Sequence, residues 1–181
     1  MAEPPTVTRE GASSILVVHP KFIKDCSVNR VLFLDIDGVL NSAQWGDFDN
    51  FDPDNVAQLR RIVLETRCAM VLSSSWRYYH ALWEIEARLA HAGFEGAKIV
   101  DQTPVLDVRK YPYATSVKFK KPYTPRGHEV DAWVQLNNFT GTYVCLDDHD
   151  DFGPHNNLVQ TDEGYGLTAA DADKVIRLFN V

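Results

Sequence analysis

Three short clusters carry the groups in this sequence best suited to chemistry. They are Asp35-Ile36-Asp37-Gly38-Val39-Leu40-Asn41, Ser73-Ser74-Ser75-Trp76-Arg77 and Asp147-Asp148. Gathered in one place, four carboxylates repel one another, and the usual remedies are a bound cation or protonation of one member. Oxygen-only ligation suits Mg²⁺, which takes one or two carboxylates and keeps room for water and substrate phosphate. One carboxylate can attack phosphorus as a nucleophile and form an aspartyl phosphate. A second, two residues on, can protonate the leaving oxygen. The serines offer a hydroxyl and backbone N–H groups to phosphate oxygens, and an Arg or Lys can balance the charge of the transferring group.

The clusters are far apart in the chain, so secondary structure must bring them together. Val31–Asp35, Ala69–Ser73 and Thr142–Asp147 read as buried strands, each running into one of the clusters. Asp52 and Pro53 start a helix, as N-cap and first helical residue, and Val56, Leu59 and Val63 follow at helical spacing. A second helix is expected over Tyr79–Ala92, with Leu82, Ile85 and Leu89 on one face and Gly93 as its stop. Ala97–Val100 reads as a short strand, and a third helix begins near Gly127 with Val130, Trp133 and Val134 inward. Asn157–Gln160 is a last short strand. Thr168 and Asp171 form a capping-box pattern ahead of a helix carrying Val175, Ile176 and Phe179. Strands apolar on both faces, alternating with helices, imply an α/β fold: a doubly wound, mostly parallel sheet with helices on both faces. Ligands of such sheets bind beyond the carboxyl ends of the strands, so the three clusters should converge on one spot.

The 181 residues, 45% of them apolar, suit one domain over 29–181. Residues 1–28 read as a tail, with Ser14–His19 as a candidate edge strand. The net charge of −7 excludes nucleic-acid binding through the overall field and leaves room only for a local basic patch. No run approaches the ~18 apolar residues a membrane helix needs. The opening MAEPPTVTRE lacks the basic and apolar regions of a signal peptide. Cys26, Cys68 and Cys145 make an odd set without a CxxC pair, which fits buried thiols in a reducing, cytoplasmic compartment. The stretch Asp101–Arg126 has little periodicity and reads as a long loop.

DIDGVLN, VLSSSWR and CLDD resemble the motifs of the haloacid dehalogenase (HAD) superfamily of phosphohydrolases. FDPDNVAQL, PRGHEVDAW and the late GLT extend the likeness to the capless HAD domains associated with Swiss Army Knife RNA-repair proteins, from about Asn29 to the C-terminus. The resemblance implies a Mg²⁺ cofactor. It makes Asp35 the nucleophile and a metal ligand, and Asp37 the general acid/base with its carbonyl on the metal. Ser73 would bind the phosphoryl group, with Ser74 as the alternative if the strand ends one residue later. Asp148, or Asp147, would complete the metal shell. The family's Lys or Arg ahead of the last motif is ambiguous here: Arg126 is the first choice, with Lys120 and Lys121 as alternatives.

Only 35 residues separate Asp37 from Ser73, and much of that span is helix, so no large cap domain is expected. The resemblance then implies an open site that admits bulky phosphorylated substrates, such as nucleotides, nucleic-acid ends or phosphoproteins. Arg109, Lys110, Lys118, Lys120, Lys121 and Arg126 interleave with Tyr111, Tyr113, Phe119 and Tyr123. Such a run can hold a backbone and stack bases, or it can be a solvated loop with its rings packed on the domain. A non-catalytic phosphate- or partner-binding module is the rival outside enzymes, although the presence of every acidic motif residue argues against a decayed site.

Plainer readings stand beside these. DxDG alone could be an Asp-Gly turn, while an EF-hand loop fails because Gly38 and Gly46 fall at its fourth and twelfth positions. One of Ser73–Ser75 should cap the next helix. Arg77 could meet substrate or a carboxylate, and Trp76 is more naturally core. Asp47–Asp54 reads as a solvated loop ending in a helix cap. A zinc site at His149 and His155 lacks further ligands. His128 and His149 are candidates for the site's mouth.

Overall fold

The computed structural model describes residues 28–47, 49–106, 114–115, 122–123, 125–153 and 157–180. Along the chain run β1 (Arg30–Leu34), α1 (Pro53–Thr66), β2 (Ala69–Leu72), a 3₁₀ turn (Ser75–Tyr78), α2 (Leu82–His91) and β3 (Ile99–Gln102). There follow the short strands β4 (Ala114–Thr115) and β5 (Pro122–Tyr123), then α3 (Arg126–Leu136), β6 (Thr142–Asp147), β7 (Leu158–Gln160) and α4 (Ala169–Phe179).

Val31, Leu32, Phe33 and Leu34 are buried on both faces of β1, which requires a central strand. It is central: the sheet order is β3-β2-β1-β6-β7 and every pairing is parallel. Leu32, Leu34, Met70, Leu72, Val144 and Leu146 pack in one cluster with Val56 and Leu59 of α1, Ile85 and Leu89 of α2, and Val175 and Phe179 of α4. The alternate residues Val31, Phe33, Val71 and Cys145 pack on Val130 and Trp133 of α3. Phe33 meets the Trp133 ring edge-on at 5.2 Å. Connections thus run outward from β1 to β3 under one face and return over the other. The winding reverses between β1 and β6, and that reversal is where such sheets bind ligands.

The helix starts follow local chemistry. The Asp52 side chain accepts the Asp54 N–H at 2.9 Å, with Pro53 at the first position of α1. Thr168 and Asp171 make the reciprocal capping bonds of α4. Other boundaries differ from expectation. The helix expected from Tyr79 starts at Leu82, because Ser74 accepts the Trp76 N–H and winds Ser75–Tyr78 into a 3₁₀ turn first. The strand expected from Ala97 starts at Ile99, because the Ala97 N–H is taken by the Phe94 carbonyl in a turn (3.3 Å). The stretch read as one long loop gives its first residues to β3 and contains the antiparallel pair β4–β5.

Among the described residues, only the loop 35–52, α1 and the two residues after it stand between β1 and β2, and no inserted folded unit does. Cys68 and Cys145 are buried free thiols, and burial raises both. No described helix is long and apolar enough to cross a membrane. Ser14–His19, Cys26, Arg109, Lys110, Lys118, Lys120, Lys121 and His155 lie outside the described residues.

Candidate active site

Hydrogen bonding continues past the strand ends. The Asp35 N–H donates to the Leu146 carbonyl (3.0 Å), and the Ser73 N–H to the Leu34 carbonyl (2.8 Å). The two-residue alternation of the strands therefore carries on. Asp35, Ser73 and Asp147 continue the rows of Phe33, Val71 and Cys145, on the face that α3 covers. All three are buried, at 6%, 1% and 2% exposure.

Arg126, the first residue of α3, reaches this row. Pro125 precedes it without a side-chain cap, and the carboxylate of Asp151 takes over by accepting the Arg126 N–H at 3.1 Å. Gly127 lets the helix start come close, since a Cβ there would stand 2.6 Å from the Phe152 carbonyl oxygen. The Arg126 Nε lies 3.6 Å from Asp147 Oδ2, and its Nη1 lies 3.3 Å from Glu129 Oε2. Glu129 in turn accepts from Arg77 Nη2 at 2.6 Å, with both side chains at most 4% exposed. Arg77 Nη1 donates to the Ser74 carbonyl at 2.6 Å. Arg77 is thus a buried brace between the end of β2 and α3.

The site's charges work against their own burial. Burial raises the Asp35 carboxyl above its ordinary value, with Asp148 adding to it, while Arg126 and hydrogen bonds from the Ser74 hydroxyl and the Ile36 N–H oppose the rise. Asp147 is raised well above the ordinary range by burial and by the charge of Asp35. Burial alone would lower Arg126, but Asp35, Asp147, Glu129 and Asp151 together raise it. Two buried carboxylates share one half-buried guanidinium.

After Asp35 the chain turns sharply. Gly38 has φ +69°, and a Cβ on it would meet the Asp148 carboxylate at 2.6 Å. Its carbonyl accepts the Thr161 hydroxyl at 2.9 Å. Asp37 is exposed, and its Oδ1 accepts Asn41 Nδ2 at 2.9 Å and Trp76 Nε1 at 3.0 Å. Asp148 Oδ1 stands 2.7 Å from His149 Nδ1.

The donor set fits a hard divalent cation. Asp147, Asp148 and His149 present ligand atoms within 4.8 Å of one another. Ser73 Oγ and Asp147 Oδ2 are buried without a hydrogen-bond partner among the described residues. Natively folded chains seldom leave buried polar atoms so; a ligand oxygen would complete Ser73, and a cation would add to the Arg126 Nε that stands 3.6 Å from Asp147 Oδ2. Carboxylate oxygens suit Mg²⁺. With one histidine and no cysteine, the cluster is poor for zinc.

Of the residues expected from sequence, Asp35, Ser73, Ser74, Asp147 and Arg126 come together, with Asp37 and Asp148 beside them. Lys120 and Lys121 lie outside the described residues; among the described ones, Arg126 is the cation beside Asp147. His149 is exposed at the rim, and His128 is exposed on α3. Sequence reasoning missed Glu129, Asp151 and Thr161. Glu129 follows Arg126 by one helical turn, a spacing that favours an ion pair. Asp151 and Thr161 carried no local signal.

A doubly wound parallel sheet with an acidic, arginine-braced site at its switch point defines an HAD-like α/β domain. The family model described as the HAD domain in Swiss Army Knife RNA repair proteins matches residues 31–172, and the chain belongs to that family. No curated protein and no solved structure matches the chain. Membership supports an HAD-type hydrolase in general terms, from a superfamily that generally uses Mg²⁺.

Proposed function

We propose that this domain is a Mg²⁺-dependent phosphomonoester hydrolase working through an aspartyl phosphate on Asp35. The observation that carries this reading is a buried Asp35 under the field of Arg126 at the β1/β6 switch point. Phosphoryl transfer needs positioning and charge neutralisation more than any other help. Asp35 attacks phosphorus in line and the P–O bond to the leaving group breaks. Asp37 gives its proton to the departing oxygen. Asp37 then takes a proton from the water that attacks the phosphorus of the acyl phosphate, and Asp35 is restored as inorganic phosphate leaves. Ser73 and Arg126 hold the phosphoryl oxygens, while Ser74 holds Asp35. Asp35, the Asp37 carbonyl, Asp148 and Asp147 would hold Mg²⁺, which when bound offsets the charge of the carboxylates and the phosphate.

The favoured substrate is a phosphate at a nucleic-acid end or on a nucleotide. The family's description as part of RNA repair proteins supports this. So does the run of basic and aromatic residues from Arg109 to Arg126. The test is hydrolysis of p-nitrophenyl phosphate with Mg²⁺ and with EDTA, by wild type and Asp35→Asn, followed by 3′- and 5′-phosphorylated oligonucleotides. Mg²⁺-dependent turnover lost in Asp35→Asn supports the chemistry, and equal rates in the two proteins refute the nucleophile. Cleavage of the small ester with none of either oligonucleotide refutes the substrate.

A further inference from the structure

The Asp37 carboxylate is held by two donors from separate parts of the chain, Asn41 Nδ2 at 2.9 Å and Trp76 Nε1 at 3.0 Å, both on Oδ1. Asn41 lies in the same turn as Asp37. Trp76 arrives from beyond β2, and its ring is fixed on several sides. Phe51 packs at 5.5 Å between centroids, His80 at 4.7 Å, and the Arg88 guanidinium lies over the ring at 5.4 Å. The ring is 9% exposed, so it has little freedom to turn. Its N–H direction is set by the core rather than by Asp37.

We infer that Trp76 is a positioning residue for Asp37: its indole N–H occupies Oδ1 and thereby assigns Oδ2 as the oxygen that exchanges a proton with the leaving group. The inference rests on the phosphohydrolase reading and deepens it. Oδ1 can accept an N–H whether the carboxyl is ionised or protonated. The orientation therefore survives both halves of the cycle. In the first, the Oδ2–H bond breaks and its proton goes to the leaving oxygen as that oxygen parts from phosphorus. In the second, Oδ2 accepts a proton from the attacking water. A carboxyl free to rotate would spend part of its time with neither oxygen aimed at the reacting atoms, and general-acid catalysis depends on that aim.

Trp76→Phe keeps an aromatic ring against Phe51, His80 and Arg88 and removes the N–H. The experiment measures kcat/KM, which reports the steps up to release of the alcohol. The substrates are glycerol phosphate, whose alkoxide needs a proton to leave, and p-nitrophenyl phosphate, whose phenolate does not. Trp76→Phe is expected to lower kcat/KM for the alkyl ester about tenfold more than for the aryl ester, a fraction of the ~10²–10⁴ that general-acid catalysis supplies. Added to Asp37→Ala it should change the ratio no further. A merely structural role would lower both substrates alike, and that result overturns the inference. A readout independent of turnover is the indole ¹H–¹⁵N cross-peak that Trp76→Phe removes. It should move in Asp37→Ala, and a peak that stays in place overturns the inference whatever the kinetics. Failure of the wild type to cleave either ester overturns the proton role together with the phosphohydrolase reading. A cross-peak that still moves would then locate the failure in that reading and not in the hydrogen bond.

Discussion

Glu129→Ala should destabilise the protein far more than its distance from Asp35 suggests. The Arg77 and Glu129 side chains are 1% and 4% exposed and meet at 2.6 Å. Removing the carboxylate leaves Arg77 buried with a charge it cannot shed. Breaking such a pair from one side costs about 3–5 kcal/mol. A domain of this size loses about 2–4 °C of Tm per kcal/mol, so the expected fall is about 6–20 °C. Arg126 suffers less, because Asp35 and Asp147 still oppose its charge. The assay is thermal unfolding followed by circular dichroism for Glu129→Ala, for Arg77→Met and for Arg77→Met/Glu129→Leu. The double variant removes both charges and fills the space, so it should melt well above Glu129→Ala, with a coupling that the single variants do not add up to. Additive losses, or a shift below about 2 °C for Glu129→Ala, would refute the claim that this pair is a buried, mutually dependent brace.

Asp35 and Asp147 are both raised in the folded protein, so the native state holds their protons more tightly than the unfolded chain does. Their contribution to stability is full below the ordinary carboxyl value and is lost as pH rises through each raised value. Metal-free protein in EDTA should therefore gain Tm as pH is lowered from 8 toward 5, and a falling Tm over that range contradicts the assignment. The two serines should separate. Ser73→Ala removes a buried hydroxyl without a hydrogen-bond partner among the described residues and should leave Tm unchanged or higher while raising KM for phosphate esters. Ser74→Ala should cost about 1 kcal/mol in chemical denaturation, because it strips a hydrogen bond from Asp35 and a cap from the 3₁₀ turn. Gly38→Ala places a side chain at φ +69° and 2.6 Å from the Asp148 carboxylate. It should lower stability by more than about 1 kcal/mol and weaken Mg²⁺ binding measured by calorimetry.

What the sequence made legible was local. Leu32 and Leu34 alternate with Val31 and Phe33, all four apolar, and that alone requires a central parallel strand. Asp52-Pro53 and Thr168–Asp171 carry their helix starts within one turn of chain. The hidden features join distant segments: Arg77 with Glu129, Arg126 with Asp151, Trp76 with Asp37. No periodicity records such pairs, because each depends on the register of the sheet that brings its two segments together. The same limit explains the serines. Composition offers three hydroxyls in a row, but only the ladder bond from the Ser73 N–H to Leu34 decides which one continues the row on the α3 face.

That row also explains why the chemistry collects on one side. In β1, β2 and β6 the residues facing α1, α2 and α4 lie in the larger buried cluster, which Ile36 joins as the next residue on that face beyond β1. The opposite row packs on the single described helix α3, whose N-terminus lies beside Asp151 at the carboxyl end of the sheet. Once the row passes the end of that helix, no described helix remains for it to pack against. Its next members are Asp35, Ser73 and Asp147, polar groups whose burial is offset by Arg126 at the helix's first residue. A helix start that caps the core on one side and supplies the balancing charge on the other makes fold and site one construction. A shift of α3 by even one turn would leave Asp35 and Asp147 buried without a counter-charge, a loss that buried carboxylates do not tolerate.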